Sequence, residues 1–307
     1  MFGLRDEFEY VECAHCGCVH LAEVPADVAR YYPSDYFPEP PLLARRFALK
    51  RVLWNQRARY CLTGTGSLGR LLVARWGRPR AGIFGSPDYY TWLRRCGVDF
   101  NSSILDVGCG LGSLLAQLHN DGFGRLMGVD PFIDQSIHYA PVFDVVKQAL
   151  AETEGEFDLI MLHHTLEHMP DPLSVLRDVY RLLRPGRYAL IRIPVASSLA
   201  YKTYGPHWVQ LDAPRHLFLH SVESLRLIAE RAGFQLADVV FDSSEFQFWG
   251  SEQYAHDVPL KDDRSYGVNP EKSMFDEGQI REFRERAMAL NASGEGDSAC
   301  FYLYKSA

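Results

Sequence analysis

The sequence predicts an α/β protein built around a doubly wound, mostly parallel sheet. The apolar run 104–107 is β-prone, alternate glycines fill the turn 108–112, and the leucines of 113–120 lie at helical spacing. A second apolar run, 126–129, follows this helix. A strand, a glycine turn, a helix and another strand make up the βαβ unit of such sheets.

The turn 108–112 predicts a binding site for a nucleoside-containing cofactor. Glycine accepts positive φ angles and lets the backbone approach a ligand without a Cβ in the way. The N-terminus of the following helix offers unpaired N–H groups and a positive dipole end to a negative group. Asp130 ends the next apolar run, 22 positions beyond Gly108. In a βαβ unit this position faces a ribose, whose hydroxyls a carboxylate can bind.

The glycine spacing distinguishes between nucleoside cofactors. A dinucleotide fingerprint needs a third glycine at the position of Ser113. The chain instead has G-x-G-x-G, with Asp106 two residues ahead of the first glycine. This pattern resembles the first motif of the class I S-adenosylmethionine-dependent methyltransferases. Later segments agree in the same order, so the resemblance covers about residues 99–242; these segments are 130–133, 157–164, 165–172 and 183–191.

The resemblance implies S-adenosylmethionine as methyl donor and S-adenosylhomocysteine as product. It also implies a Rossmann-like methyltransferase sheet of seven strands, with the last strand antiparallel. The residues expected to bind the cofactor are Asp106, Gly108, Cys109, Gly110, Gly112, Asp130, Pro131, Phe132, Gln148, Ala149 and His163. The chain departs from the family at 146–150, where many relatives carry an acid that accepts from the adenine amine. Gln148 or the backbone must accept here.

The later part of the chain predicts further helices and strands. Asp171 is placed to cap a helix that begins at Pro172, and Ser221 is placed to cap a helix over 222–232. Further strands are expected at 188–193, 236–241 and 299–304.

The segment 243–297 is too long for a plain hairpin turn between the last two strands. Asp276 and Gln279 have capping-box spacing ahead of a helix over 277–290. We expect this insert to be a lid or an interface element. The chain is thus divided into an N-terminal zinc-ribbon-like segment, a helical connector, a catalytic domain and the insert, at 1–40, 41–98, 99–242 with 298–307, and 243–297.

The bulk composition fits a cytoplasmic enzyme. Hydrophobic residues make up 47% of the 307 residues, enough for the core of one sizeable α/β domain. No run of about 18 apolar residues predicts a membrane span. The acidic N-terminus does not resemble a secretory signal, and seven cysteines, an odd number, suggest reduced thiols.

The N-terminal cysteines raise the question of a zinc site. Cys13 and Cys16, followed by Gly17, have the knuckle spacing used for zinc. They resemble the second half of a small zinc ribbon that precedes the methyltransferase domain in some relatives. Residues 1–12 contain neither Cys nor His to form the usual second pair. We therefore favour a metal-free remnant; the alternative is a cramped zinc site formed by Cys13, Cys16, Cys18 and His20.

The net charge of −7 is unevenly spread. Residues 40–86 contain ten Lys or Arg and no Asp or Glu. We favour a helical connector whose arginines pair with acids of the main domain, with breaks at Gly64, Gly66, Gly69 and Gly77. The alternative is a contact surface for an acidic substrate, such as a phosphorylated carrier or a nucleotide-linked sugar. Nucleic acid is disfavoured because the whole chain is acidic and lacks an RNA-binding motif.

Two polar clusters are candidates for the acceptor side, because ligands bind at the carboxyl ends of parallel strands. The first follows the fourth strand of the predicted sheet and contains His163, His164, Glu167 and His168. A metal site here would need a helical turn, which Pro170 makes insecure. We favour structural hydrogen bonds by His168 and assign no metal.

The second cluster is the loop 201–217. It resembles a segment near the acceptor pocket of small-molecule and sugar methyltransferases. Aromatic rings with converging polar groups are typical of a buried small-molecule site. His216 is the candidate base or orienting group, and the alternative is a packed loop that satisfies His216 internally. Further candidates for the acceptor side are Tyr204, His207, Asp212 and His168.

Three functions follow from these patterns. The leading one is a methyltransferase of small molecules, with a sugar or polysaccharide precursor as acceptor. It would align its two substrates for in-line transfer and exclude water. The second is a nucleic-acid or protein methyltransferase that docks through 41–86, although an Asn-Pro-Pro-Tyr-like signature is missing. The third is a cofactor-binding module without catalysis, and a dehydrogenase is a distant fourth. The oligomeric state stays open, with a dimer among the options.

Overall fold

The computed structural model describes residues 4, 6–32, 48–78, 89–139 and 142–307. Parts of the predicted N-terminal segment and of the basic connector therefore lie outside the described residues. The first elements are two short strands, β1 (Tyr10–Glu12) and β2 (Val19–Leu21), and three helices, α1 (Ala48–Thr63), α2 (Ser67–Trp76) and α3 (Tyr89–Arg95).

The remaining elements alternate between strands and helices, as the βαβ pattern predicts. In chain order they are β3 (Ser103–Val107), α4 (Ser113–Asp121), β4 (Arg125–Val129), β5 (Ile137–Tyr139), β6 (Phe143–Val146), β7 (Phe157–His163), α5 (Pro172–Leu182), β8 (Leu183–Pro194), α6 (Leu199–Tyr204), β9 (Phe218–Leu219), α7 (Val222–Arg231), β10 (Gln235–Phe241), α8 (Phe246–Ala255), α9 (Glu277–Ser293) and β11 (Ser298–Lys305).

The main sheet has eight strands in the order β10-β11-β8-β7-β3-β4-β6-β5. β3, β4, β6, β7 and β8 are parallel, while β11 runs antiparallel to both of its neighbours. The predicted doubly wound α/β fold with an antiparallel last strand is confirmed. The predicted count of seven is one too low, because β5 pairs antiparallel with β6 at the sheet edge. Three residues are too few to give a readable strand pattern.

Both faces of the sheet are buried, which explains the unbroken apolar runs of its parallel strands. Ile104 on β3 packs in one core cluster and its neighbour Leu105 in the other. Every residue of β7 is buried. None of the helices in the described ranges is long and apolar enough to cross a bilayer.

Side-chain caps fix the helix starts where the sequence predicts them. The Asp171 carboxylate accepts from the Ser174 N–H at 3.0 Å, and the Ser221 hydroxyl accepts from the Ser224 N–H at 2.9 Å. At the start of α9, Asp276 and Gln279 form the predicted capping box. These caps satisfy N–H groups that have no partner inside a helix.

Gly69 does not break the helical connector. It lies inside α2, where a Cβ would be 2.4 Å from the carbonyl oxygen of Gln56 in α1. The glycine therefore allows α1 and α2 to pack closely. On the same connector Arg57 donates to the carbonyl of Gly77 at 2.8 Å, and Arg59 lies over the ring of Phe100.

The insert 243–297 contains an additional helix, α8, which was not predicted. α8 buries several polar side chains, so it lacks a clean apolar stripe. It packs against the end of α6 and the loop that follows: Tyr204 donates to Glu252 at 2.8 Å, and the Val209 N–H donates to Ser251 at 3.0 Å. The insert thus covers the polar-aromatic loop 201–217.

The N-terminal hairpin joins the main body through a second, three-stranded sheet in the order β1-β2-β9. Val19 pairs with Leu219, and Val19, Leu219 and Trp208 share a small buried cluster. This sheet brings N-terminal residues beside the segment that follows β8.

Candidate active site

The glycine loop leaves the carboxyl end of β3 in conformations that favour glycine. Gly108, Gly110 and Gly112 have φ angles of 69°, 54° and 80°. A Cβ on Gly108 would lie 2.3 Å from the Thr165 side chain, and one on Gly112 would lie 2.8 Å from Val145. Gly108 therefore permits close contact with the segment after β7, and Gly112 permits close packing on the sheet.

Asp130 ties the end of β4 to this loop. One carboxylate oxygen accepts from the Gly110 N–H at 2.9 Å, and the other accepts from the Phe132 N–H at 2.8 Å. Burial raises the pKa of Asp130, while the two N–H donors oppose this shift. The ring of Phe132 is 80% exposed although it lies beside a buried acid, and the neighbouring Pro131 is exposed too.

Asp106 lies on β3, directly before the loop, and is only 3% exposed. Burial, followed by the charge of Asp130, raises the pKa of Asp106 to about 8. Two carboxyl groups thus share a small buried region at the ends of β3 and β4. Cys109 fills the space beside Gly128, where a Cβ would meet its sulfur at 2.4 Å.

Gln148 and Ala149 follow β6, on the far side of the loop. The Gln148 side-chain NH₂ donates to Thr153 at 3.0 Å, which orients the amide oxygen as an acceptor. The Ala149 N–H donates to Glu152 at 3.0 Å. The amide oxygen of Gln148 is an acceptor that suits an adenine amine, whereas the Ala149 N–H is a donor and is already used.

His163 is the last residue of β7 and has no hydrogen-bond partner for either ring nitrogen among the described residues. Val107 pairs with Leu162 across the sheet, which brings His163 next to Gly108. The ring is 5% exposed and lies 4.7 Å from the Trp92 ring. Burial lowers the pKa of His163 well below its usual range, so the ring is neutral. Buried polar groups without partners are rare and are frequently found at functional sites.

His164 connects β8 to the acceptor side. Its φ of 51° is uncommon for a residue with a side chain. Arg192 on β8 donates to His164 Nε2 at 2.5 Å and to Asp242 at 2.6 Å. Because Nε2 accepts, Nδ1 carries the proton of the neutral ring, and this N–H faces Glu167 at 3.4 Å.

His168 and His216 are held in one tautomer by backbone carbonyls. His168 Nδ1 donates to the Arg215 carbonyl at 2.8 Å, and His216 Nδ1 donates to the Gln210 carbonyl at 2.7 Å. Burial lowers the pKa of both rings to about 4. Each neutral ring therefore keeps an unprotonated Nε2. The two ring centroids lie 4.7 Å apart.

The structure brings together part of the predicted acceptor set. His168, His216 and Asp212 lie around Glu167, and His216 Nε2 is 4.0 Å from Glu167 and 3.7 Å from Asp212. Tyr204 instead bonds to Glu252, and His207 is exposed on a short turn. The roles of these residues stay predictions.

Arg192 and Asp242 were not singled out from the sequence. Arg192 is 3% exposed and interrupts the apolar strand β8. A charged residue inside an otherwise apolar strand is itself a signal, because buried charges require partners. Asp242 gives no such signal, since it directly follows a strand end, where acids are common.

The N-terminal cysteines do not form a compact metal site. Cys18 is buried with its sulfur 3.9 Å from Nδ1 of His220, and His20 stacks on Phe218. Among the described residues, a group of three or more metal-binding side chains within 4.8 Å of one another is found at Glu167, His168 and His216. The alternative zinc set Cys13, Cys16, Cys18 and His20 is not such a group.

Two cavities lie in different parts of the described structure. One of about 610 Å³ is lined by Ser103, Arg125 and Phe157, at the amino ends of their strands. Ligands of such sheets bind at the carboxyl ends of the strands, so this cavity lies at the end of the sheet opposite to the expected ligand site. The other, of about 190 Å³, is lined by Asp212, Arg215 and N-terminal residues including Phe8. It borders the acceptor-side residues.

Comparison with known proteins identifies the class. Residues 70–239, more than half of the chain, match the family model of the methyltransferase domain. The chain belongs to this family, which confirms the predicted resemblance to methyltransferases.

Among curated relatives, the ubiquinone biosynthesis O-methyltransferases of Escherichia coli strain K12 and of Shigella boydii serotype 18 are 33% identical over 102 residues. The match covers 30% of this chain and 42% of each relative, so it spans less than half of their length.

Similar solved structures include a SAM-dependent methyltransferase from Archaeoglobus fulgidus, with 23% identity over 77% of this chain and 99% of that chain (TM-score 0.44). Another is phosphoethanolamine N-methyltransferase 2 from Haemonchus contortus, in complex with S-adenosyl-L-methionine. It has 17% identity over 82% of this chain and 60% of that chain (TM-score 0.44).

Proposed function

We propose that the protein transfers the methyl group of S-adenosylmethionine to a hydroxyl of a small molecule. The observation that carries this proposal is the meeting of the glycine loop, Asp130 and the unpartnered His163 at the carboxyl ends of β3, β4 and β7. In a chain of the methyltransferase-domain family, this is the edge where a nucleoside cofactor binds.

The cofactor half divides its tasks among a few residues. The Asp130 carboxylate is placed to accept from the ribose hydroxyls, and the exposed Phe132 ring offers an apolar face to adenine. The Gln148 oxygen is the acceptor for the adenine amine. Asp106 and the N–H groups of the glycine loop lie on the side where the cofactor's amino-acid part fits.

The acceptor is proposed to be an oxygen nucleophile on a small molecule. The curated relatives carry the name O-methyltransferase, which supports oxygen as the methylated atom. A sugar or polysaccharide precursor is the acceptor class that the loop 201–217 favours from sequence. No observation on the described residues favours nucleic acid or protein as the acceptor.

The transfer breaks one carbon–sulfur bond and forms one carbon–oxygen bond. The acceptor hydroxyl gives up its proton, its oxygen attacks the methyl carbon in line, and S-adenosylhomocysteine leaves with the sulfur lone pair. Because the sulfonium charge disappears, the protein mainly aligns the partners and excludes water. We propose that loss of the hydroxyl proton depends on His216, whose unprotonated Nε2 is held in place through Gln210.

His216→Ala tests this assignment, with His256→Ala on the exposed end of α8 as the matched control. The acceptor comes from a screen of hydroxylated small molecules with methyl-labelled cofactor. We expect His216→Ala to bind S-adenosylmethionine like the wild type in calorimetry and to turn over about 10² to 10⁴ times more slowly. Unchanged turnover would remove His216 from the mechanism, and a wild-type protein that binds no cofactor would contradict the proposed function.

A further inference from the structure

We propose that Glu167, His168 and His216 bind a divalent metal ion. Each of these residues offers one ligand atom within 4.8 Å of the other two. Glu167 and His168 follow β7, while His216 comes from the loop before β9, so the fold assembles the group from two separate segments. Two imidazoles and one carboxylate suit first-row transition metals such as Mn²⁺, Fe²⁺ or Co²⁺.

The Glu167 carboxylate is the independent indication of a ligand. The residue is 0% exposed, and neither carboxylate oxygen has a hydrogen-bond partner among the described residues. Burial of a carboxyl group that makes no hydrogen bond is costly to a fold. A metal ion between Glu167 and the two imidazoles would give the carboxylate oxygens a partner.

His168 and His216 each present an unprotonated Nε2 atom that can bind a metal ion. Both Nδ1 atoms donate to backbone carbonyls, so the Nε2 lone pairs are free. A hydrogen bond from the second ring nitrogen is the usual way in which proteins orient metal-binding histidines. His216 Nε2 faces Glu167 at 4.0 Å and Asp212 at 3.7 Å. With both carboxylates ionised, neither these oxygens nor His216 Nε2 carries a proton that could form a hydrogen bond between them.

Protonation of Glu167 would not create a hydrogen bond to His216 in this arrangement, because the Glu167 oxygen lies 4.0 Å from His216 Nε2. His164 is not a third imidazole ligand, because Arg192 donates to its Nε2 and its Nδ1 carries the proton. This Nδ1 lies 3.4 Å from a Glu167 oxygen without forming a hydrogen bond to it. Asp212 lies on the other side of His216 and is ion-paired to Arg215.

The metal explains how the acceptor loses its proton, and this part of the inference rests on the proposed function. Three protein ligands leave coordination positions open for substrate oxygens. An acceptor with two adjacent oxygen atoms, such as a vicinal diol or a catechol, can bind through both. An ion held by Glu167, His168 and His216 would lower the pKa of such a hydroxyl, so that its proton could pass to water before the oxygen takes the methyl group. His216 then acts by holding the ion.

The segment that carries these ligands also contacts the cofactor loop. Thr165 packs against Gly108 and donates to the Val107 carbonyl at 3.2 Å. Thr165 is separated from Glu167 by one residue, so the proposed metal ligands and the glycine loop lie at the same edge of the sheet.

The binding test uses the full chain after removal of metals with a chelator. Mn²⁺ is titrated and its free form is followed by electron paramagnetic resonance. We expect one tight site in the wild type and at least about 10-fold weaker binding in Glu167→Gln. Glu154→Gln, at an exposed position outside the cluster, serves as the control and should bind like the wild type. The proposal would be overturned if the wild type bound no Mn²⁺, or if Glu167→Gln bound Mn²⁺ as tightly as the wild type.

Thermal unfolding separates a metal ligand from a structural residue. Without metal, Glu167→Gln should unfold at the same temperature as the wild type or higher, because an unpaired buried charge is removed. With Mn²⁺, only the wild type and Glu154→Gln should gain stability. A lower unfolding temperature for metal-free Glu167→Gln would show that the carboxylate stabilises the fold directly and would count against the metal.

Cofactor binding in the same samples distinguishes failure of this inference from failure of the proposed function. If the metal-free protein binds S-adenosylmethionine and transfers methyl groups at the full rate, the metal role is wrong and the methyltransferase stands. If Mn²⁺ binds but no S-adenosylmethionine does, the metal site stands and the proposed function is wrong. We expect cofactor binding without metal and transfer only with it.

Discussion

The cofactor half and the acceptor half of this site are built in different ways. The proposed cofactor half centres on the glycine loop after β3 and on Asp130 after β4, whose carboxylate accepts from two backbone N–H groups there. Gln148 and His163 complete it from the ends of β6 and β7. The acceptor half combines side chains from four separate segments, at 164–168, 192, 212–216 and 242. One half is fixed by local backbone geometry and the other by tertiary contacts.

The two halves also differ in how their buried charges are compensated. Asp130 has N–H donors for both oxygens, whereas Glu167 has no hydrogen-bond partner among the described residues. The two N–H donors hold the Asp130 carboxylate in place as an acceptor for hydroxyl groups, while the unpartnered Glu167 carboxylate is the basis of the proposed metal site. The same fold can therefore vary its acceptor chemistry without changing the cofactor loop.

The largest effect is expected from Gly108→Ala, which disturbs the contact between the two halves. The new Cβ would overlap Thr165, and φ is 69°. We expect about 1–2 kcal/mol from the backbone conformation and about 1–3 kcal/mol from overpacking, measured as the free energy of unfolding in urea. Gly97→Ala is the matched control, because Gly97 has a φ of 64° with open space around it. Equal losses in both variants would mean that the contact with Thr165 has no energetic importance.

Asp130→Ala should damage the cofactor half alone. Removal of charge-assisted hydrogen bonds costs roughly 1.5–3 kcal/mol, or about a 10- to 150-fold weaker affinity for S-adenosylmethionine in calorimetry. Asp134→Ala, at an exposed acid four positions further on, should leave the affinity unchanged. An unaffected Asp130→Ala would remove this residue from the cofactor site.

Asp106→Asn should change how the stability of the cofactor-free protein depends on pH. The folded-state pKa of about 8 is above the ordinary value of 3.8, so the folded protein keeps a proton that the unfolded chain releases. Stability contributed by this group should therefore fall as the pH rises from about 4 to about 8. We expect Asp106→Asn to flatten this slope in urea unfolding at several pH values. An identical slope in the variant would show that Asp106 is already ionised below this range.

The smallest effect is expected from Phe132→Ala. Because the ring is 80% exposed, its loss should change the free energy of unfolding by less than about 0.5 kcal/mol. Loss of its contact with adenine should weaken cofactor binding about 2- to 10-fold. Clear destabilisation without any change in affinity would contradict the assignment of Phe132 to the cofactor.

The same difference between the halves determines what the sequence could predict. The alternation of strands and helices, the glycine turn after β3 and the caps at Asp171 and Ser221 depend on residues close in sequence, and they were predicted correctly. The edge strand β5 was missed because three residues carry no periodic signal, and α8 because it buries polar side chains. Gly69 was misjudged because its role lies in a contact between two helices.

The acceptor side could be predicted only in part. His168 and His216 were candidates, but their fixed tautomers depend on the carbonyls of Arg215 and Gln210. The proximity of Glu167 to His216 joins residues 49 positions apart, and no spacing rule reports such a contact. Positions and partners of this kind come from the packed fold.

The most direct test of the division into two halves compares Asp130→Ala with Glu167→Gln in one pair of experiments. The dissociation constant for S-adenosylmethionine is measured by calorimetry, and methyl transfer is measured in a single turnover at saturating cofactor. We expect weaker cofactor binding with nearly normal transfer for Asp130→Ala, and normal binding with strongly reduced transfer for Glu167→Gln. Equal loss of cofactor affinity in the two variants would contradict it.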